Sequence, residues 1–247
     1  MFVIVPLKGG LMTDPFFRSG VAGLDRVTMD VGLRTHMQRV FGYMAGGLAL
    51  TGLLAWITAN TPLAGIIFGS PLRWIIAIAP LGFIMAMNFK INSISVSGLK
   101  NLFWFFCGTM GLSMGAIFLS YSGASIARAF FITAATFGAM SLYGYTTKAD
   151  LSRLGAFLYM GVFGIVLASL VNLFLASSMM QWTISVIGVV VFTGLTAWDV
   201  QRIKQTYAEA YGREANDKMA VFSALSLYLN FVNAFQFMLQ LTGGRRN

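Results

Sequence analysis

Apolar residues in this chain do not alternate with polar ones or recur at every third or fourth position; they run on without a break. Seven stretches do so: Val40–Ala59, Trp74–Phe89, Leu102–Leu119, Ala129–Tyr145, Leu154–Leu175, Thr183–Trp198 and Ala220–Leu241. A helix needs about 20 predominantly apolar residues to cross the hydrocarbon layer of a bilayer. The alternative spanning architecture, a closed barrel, needs segments of about ten residues with alternating polarity. The runs here are long, uniformly apolar and rich in Leu, Ala, Met and Phe, which predicts helices. The second, fourth and sixth are short, so their helices are expected to extend a few residues into the flanks. The pattern predicts an all-α integral membrane protein, a bundle of seven transmembrane helices.

Composition agrees and removes the soluble alternative. Of 247 residues, 57% are apolar and 10% charged, against about 25% charged in a soluble domain. A soluble globule of this length could not cover itself with so little polar surface. The chain divides into a cytoplasmic, mobile tail over residues 1–36, a seven-helix membrane domain over 37–242, and a short extracytoplasmic tail over 243–247. Met1–Leu7 is apolar but too short to span, and it lacks the leading positive charge of a cleaved signal.

Basic residues set the expected orientation. Thirteen fall on one side: Lys8, Arg18, Arg26, Arg34 and Arg39 before the first span, then Lys90, Lys100, Lys148, Arg153, Arg202, Lys204, Arg213 and Lys218 in alternate loops. Four fall on the other: Arg73, Arg128, Arg245 and Arg246. The positive-inside rule puts the N-terminus in the cytoplasm and the C-terminus outside, in a plasma membrane or bacterial inner membrane. The net charge of +9 then reads as topology signal and attraction to anionic lipid, the bilayer being the first partner. No nucleic-acid partner is expected, since no basic, aromatic-interleaved soluble surface exists. The single Cys107 lies inside the third span, so no disulfide is expected. His36 stands alone beside Arg34 and Arg39, exposed, and builds no metal site. Small residues pair at four-residue spacing as Gly42 and Gly46, Gly111 and Gly115, and Ala135 and Ala139. Such pairs let helices approach closely within one bundle or, alternatively, across a dimer interface.

Chemistry must reside in polar groups at membrane depth, where each charge costs about 2.5–3.5 kcal/mol on insertion scales. Seven of the eight acids (Asp14, Asp25, Asp30, Asp150, Glu209, Glu214 and Asp217) lie in tails or loops. The eighth, Asp199, falls at the cytoplasmic end of the sixth span, with Arg202 one turn on. A carboxylate near a helix C-terminus opposes the macrodipole, so helix stability does not account for it. On the seventh span Ser226, Asn230, Asn233 and Gln240 recur at spacings that share one face, which is expected to meet protein or a water-filled path. Lys90, ending the second span, Asp199 and Asn230 all belong to the cytoplasmic half of the bundle; Lys90 is also a residue that can snorkel to the interface.

At these residues the sequence resembles the transmembrane Bax inhibitor motif family, in its bacterial branch. The likeness runs from about Asp30 to Arg246. It is most specific in Phe130-Phe-Ile-Thr-Ala-Ala-Thr-Phe, Ser141-Leu-Tyr-Gly-Tyr-Thr-Thr-Lys-Ala-Asp150-Leu and Ser169-Leu-Val-Asn-Leu-Phe174. Two further segments carry it: Gly194-Leu-Thr-Ala-Trp-Asp199-Val-Gln-Arg-Ile-Lys204 and Ala224-Leu-Ser-Leu-Tyr-Leu-Asn-Phe-Val-Asn233. The resemblance implies a bundle with the last helix surrounded by the other six, and a proton-sensitive calcium leak. It also implies a latch of two aspartates, one on helix six and one on helix seven, with a basic residue at the end of helix two able to pair with it. Asp199 matches the first aspartate, and Lys90 falls near the basic position.

The second aspartate is missing: its position holds Asn230. Two close carboxylates share a proton and titrate together; an amide opposite Asp199 has no charge to couple. A weaker or acid-shifted pH response is therefore expected, with fewer charged oxygens for Ca²⁺, for which Asp199 is the candidate transient ligand. Two functions follow as expectations. One is a leak pathway for Ca²⁺ or another cation, gated by Asp199, Asn230 and Lys90 with Arg202, Ser226 and Asn233 in support. The other is a non-transporting regulator that binds a membrane protease or other membrane proteins in stress or quality control. No resident cofactor is expected, and no enzymatic activity, because neither paired acids nor an activated nucleophile is present at membrane depth.

Overall fold

The computed structural model describes residues 15–89, 93–208 and 211–244, with residues 15–30 described by their backbone alone. Among the described residues eight helices follow one another: α1 (Pro15–Asn60), α2 (Leu63–Phe68), α3 (Leu72–Phe89), α4 (Val96–Ser120), α5 (Gly123–Thr146), α6 (Ser152–Leu175), α7 (Ser178–Thr206) and α8 (Gly212–Thr242). Seven of them contain a stretch of 18 to 31 residues long and apolar enough to cross a membrane, beginning at Val31 within α1 and omitting α2. The fold is an all-α integral membrane bundle.

The helices run beyond the apolar runs into polar flanks, and three of them start on a capping serine. Ser95, Ser122 and Ser177 stand before α4, α5 and α7 and accept hydrogen bonds from the backbone N–H of Gly98, Ser125 and Met180, satisfying donors that have no partner inside the helix. Ala176, at φ +47°, closes α6 in a left-handed turn. The extension matters most in α7, which continues two turns past Asp199 to Thr206. Asp199 therefore lies inside the helix and not at its end, so the macrodipole, felt only over the last turn, does not bear on it. Residues 15–36, read from sequence as a tail, continue α1 backwards as helix; residues 1–14 lie outside the described residues. The short α2 carries no run of its own and was not foreseen.

At the centre is the seam between α7 and α8. These are the most buried spans, and Val221, Ala224, Leu227 and Tyr228 of α8 are wholly enclosed. The last helix packs mainly against α1, α4, α5 and α7, while α3 seats on α4 and α6 on α7. The expected ring of six helices is thus chiefly a ring of four, with two outer helices braced behind it.

The glycine pairs divide in use. A side chain on Gly111 or Gly115 would strike Thr51, Leu54 or Thr58 of α1, so this pair sets the close α1–α4 approach. Gly42 faces open space, whereas Gly46 and Gly47 meet Trp104, Phe103 and Cys107. The closest helix contact is at Gly144 of α5, whose Cβ would collide with the backbone of Ala197 on α7. His36 is a correction: it is 4% exposed, because the end of α7 folds over α1 and lays the Tyr207 ring 5.1 Å from the imidazole.

Candidate functional site

Asp199 is wholly buried, and α8 supplies its partners. Ser226 Oγ donates to Asp199 Oδ2 at 2.6 Å and Asn230 Nδ2 donates to the same oxygen at 2.7 Å. Four residues apart, these two side chains share one face of α8, which α7 approaches closely enough for a short carboxyl to meet both. Oδ1 has no hydrogen-bond partner and lies 3.5 Å from a guanidinium nitrogen of Arg202, one turn along α7. The half-exposed Arg202 side chain lies over the Trp198 ring at 4.7 Å, which holds the cation against the helix while leaving it in reach of water. A buried carboxyl is tolerable when donors and a cation face it. Here both kinds converge on a single acid.

Of the residues expected at the site, Asp199, Asn230, Ser226 and Arg202 are brought together. Asn233 is not: it donates to the Leu229 carbonyl of its own helix at 2.8 Å. Lys90 lies outside the described residues. Among the described residues no three His, Cys, Asp or Glu side chains gather as a metal centre, so Asp199 offers one carboxyl where Ca²⁺ ordinarily takes 6–8 oxygens.

Other polar groups went unforeseen. Gln201 Oε1 accepts from Leu151 N at 2.9 Å and its Nε2 donates to the Ala149 carbonyl at 2.7 Å, clamping α7 to the α5–α6 connection. Lys204 Nζ donates to the Tyr145 carbonyl at 2.9 Å. Both lie past the apolar run that defined the sixth span, and a polar residue at a span end gives no sequence signal beyond topology. Tyr159 of α6 packs edge-on against Trp198, ring centres 5.4 Å apart, closing the site from outside.

Beyond Asp199, four threonines of α5 and α7 (Thr133, Thr136, Thr193 and Thr196), with Phe137, Val189 and the α8 residues Ala234 and Met238, line a void of about 10 Å³, at the lower limit for even one water. Further on, Gln240 Oε1 accepts from Gln181 Nε2 at 2.6 Å and from Ser185 Oγ at 2.8 Å. Asn172 joins from α6, donating to Gln181 Oε1 at 3.3 Å. Two polar clusters thus occupy opposite ends of the α7–α8 seam with a constricted, hydroxyl-lined stretch between them.

These features define a class: a multi-pass α-helical membrane protein whose last two spans are joined through one buried acid. Comparison with known proteins makes it specific. Residues 33–247 match the family model described as "Inhibitor of apoptosis-promoting Bax1", and the chain belongs to that Bax inhibitor family. It is 43% identical over 221 residues to the uncharacterized protein RP147 of Rickettsia prowazekii, covering 89% of this chain and 94% of that protein. It is 42% identical over 219 residues to the inner membrane protein YbhL of Escherichia coli K12, covering 87% and 94%. A Caulobacter vibrioides protein is 40% identical over 245 residues, covering 94% and 97%.

Proposed function

We propose that the protein is a cation leak pathway, with Ca²⁺ the leading candidate, that runs along the α5–α7–α8 interface and is closed in this conformation. The supporting observation is the polar seam itself. It carries the one wholly buried acid among the described residues, and hydroxyl and amide groups continue from that acid toward the far end of the bundle. Polar side chains at membrane depth are costly unless they face one another or a water path. The two donors from α8 act as a latch: while Ser226 and Asn230 occupy Oδ2, α7 and α8 stay locked and the threonine-lined stretch stays too narrow for a hydrated ion. Separating the helices frees the carboxyl to meet a cation. Protons act on the same bonds, since a protonated Asp199 is a weaker acceptor for Ser226 and Asn230, and the pH response is weaker than that of a two-carboxyl latch because Asn230 cannot titrate.

Orientation and place follow from the basic residues and from the relative's printed location: an inner membrane, N-terminus in the cytoplasm, so that Asp199 lies in the cytoplasmic half. The second reading, a non-transporting regulator of other membrane proteins, is favoured by one observation, the complete enclosure of Asp199.

Proteoliposomes holding the purified protein, with a Ca²⁺ indicator inside, separate the two. A leak gives Ca²⁺ entry that Asp199→Ala abolishes. Entry no faster than in empty vesicles rules out transport and leaves the regulator.

A further inference from the structure

Helices α1 and α5 both pack on α8 but hardly touch each other. Between them a cleft opens sideways to the membrane. At the end where α1 enters the bundle it forms a recess of about 510 Å³ whose lining includes Arg34, Gln38, Phe41, Leu142 and Tyr145. Further along, a second recess of about 340 Å³ is lined by apolar side chains and Thr51, with Phe231, Val232 and Phe235 of α8 as its floor. Arg34, Phe41, Leu48 and Ala55 follow one another at seven-residue steps and so share one face of α1. Tyr145, Leu142, Phe131 and Ala127, at spacings of three, eleven and four, likewise share one face of the antiparallel α5. The two recesses therefore follow one another along the same faces of α1 and α5, the second bordered also by Met114, Ile117 and Phe118 of α4. In sequence between the two linings, Gly42 of α1 and Gly138 of α5 have nothing within 4 Å of where a side chain would start.

The polarity of this cleft is ordered. Two cations stand at the first mouth: Arg34 in the lining, and Lys204 beside it, whose Nζ sits 4.9 Å from the centre of the Tyr145 ring and bonds the Tyr145 carbonyl. Neither cation pairs with an acidic side chain among the described residues. Tyr145 adds the amphipathic ring typical of the headgroup level. From Arg34 to Leu48 is about 21 Å of helix, enough for a chain that starts at the headgroups and ends near the middle of the layer.

We propose that this cleft is a binding site for one anionic phospholipid. Its phosphate sits between Arg34 and Lys204, and one acyl chain lies past Phe41, Gly42 and Gly138 toward the second recess. A second copy of the protein would bring its own basic mouth against these cations, whereas an anionic headgroup complements them. The site is separate from the Asp199 latch, and its occupancy is read without any transport measurement.

The test is native mass spectrometry of the full chain released from nanodiscs containing equal phosphatidylglycerol and phosphatidylcholine. One retained phosphatidylglycerol per chain is expected, and Arg34→Gln and Lys204→Gln should each lower its preference about fivefold. Gly42→Leu and Gly138→Leu, both pointing into open space, should lose the lipid while keeping the parent melting temperature. Equal retention of the two lipids, or retention unchanged in both leucine variants, overturns the proposal. A dimer that the leucine variants dissolve also overturns it, assigning the cleft to a second copy.

Discussion

The two polar clusters on the α7–α8 seam are built from similar parts and differ in one. At one end Asp199 takes hydrogen bonds from Ser226 and Asn230; at the other Gln240 takes them from Gln181 and Ser185. Both use one acceptor oxygen to tie the helices together. The glutamine cluster contains nothing that titrates. The aspartate cluster carries a charge that needs Arg202 as well as its donors, and it keeps one carboxyl oxygen without a hydrogen bond. One end is a neutral staple and the other is built on an ionisable group, which the proposed leak would use as its latch.

The largest expected effect comes from removing the acid. Asp199→Ala leaves two donors buried without an acceptor, each costing about 1–3 kcal/mol. The melting temperature in detergent should fall, and Ca²⁺ flux in proteoliposomes should vanish, because the parted helices then offer the cation no carboxylate. Gly144→Ala follows: its added methyl meets the Ala197 backbone, and overpacking of this kind costs about 1–3 kcal/mol. Because Ala197 lies two residues before Asp199, the same change should raise the flux by loosening the latch, while the distant Gln240 cluster is spared. Gln240→Leu breaks the staple at a smaller cost, about 0.6–1.7 kcal/mol for an interhelical bond in a membrane. Its effect on melting should be the same at pH 5 and pH 8, which distinguishes a neutral staple from a charged latch.

The smallest effect lies outside the membrane. Hydrogen bonds from Ser152 hold the Asp150 carboxyl below its usual carboxylate range. A depressed native pKa means that this contribution is present at neutral pH and is lost as the pH falls through the depressed value. Asp150→Asn should therefore loosen the start of α6 slightly near pH 7 and make no difference in strong acid, as amide exchange at Leu151 to Arg153 would show.

How far the sequence carries this account varies by element. Uninterrupted apolar runs found all seven spans, because the bilayer demands length and apolarity and little else. They missed α2, which is too short to carry such a signal; the sixth run ended at Trp198 and its helix was expected to reach a few residues further, but not through the basic residues counted as loop. In the structure those residues continue the helix because Gln201 and Lys204 bond the neighbouring connection and helix end. The Asp199–Asn230–Ser226 meeting was legible from one acid, one polar face and the family resemblance. Asn233 shared that face by spacing yet bonds the Leu229 carbonyl of its own helix, which spacing alone does not distinguish. His36 looked exposed because only contacts across the chain, with Tyr207, bury it.

The central claim is that Asn230 makes the latch a single-carboxyl device. Ca²⁺ flux into proteoliposomes, measured from pH 5 to pH 8 for the parent and for Asn230→Asp, tests it most directly. Restoring a second carboxyl beside Asp199 should couple the two titrations and give the variant a steeper dependence on pH than the parent across that range. Superimposable pH profiles for the two proteins would contradict the account.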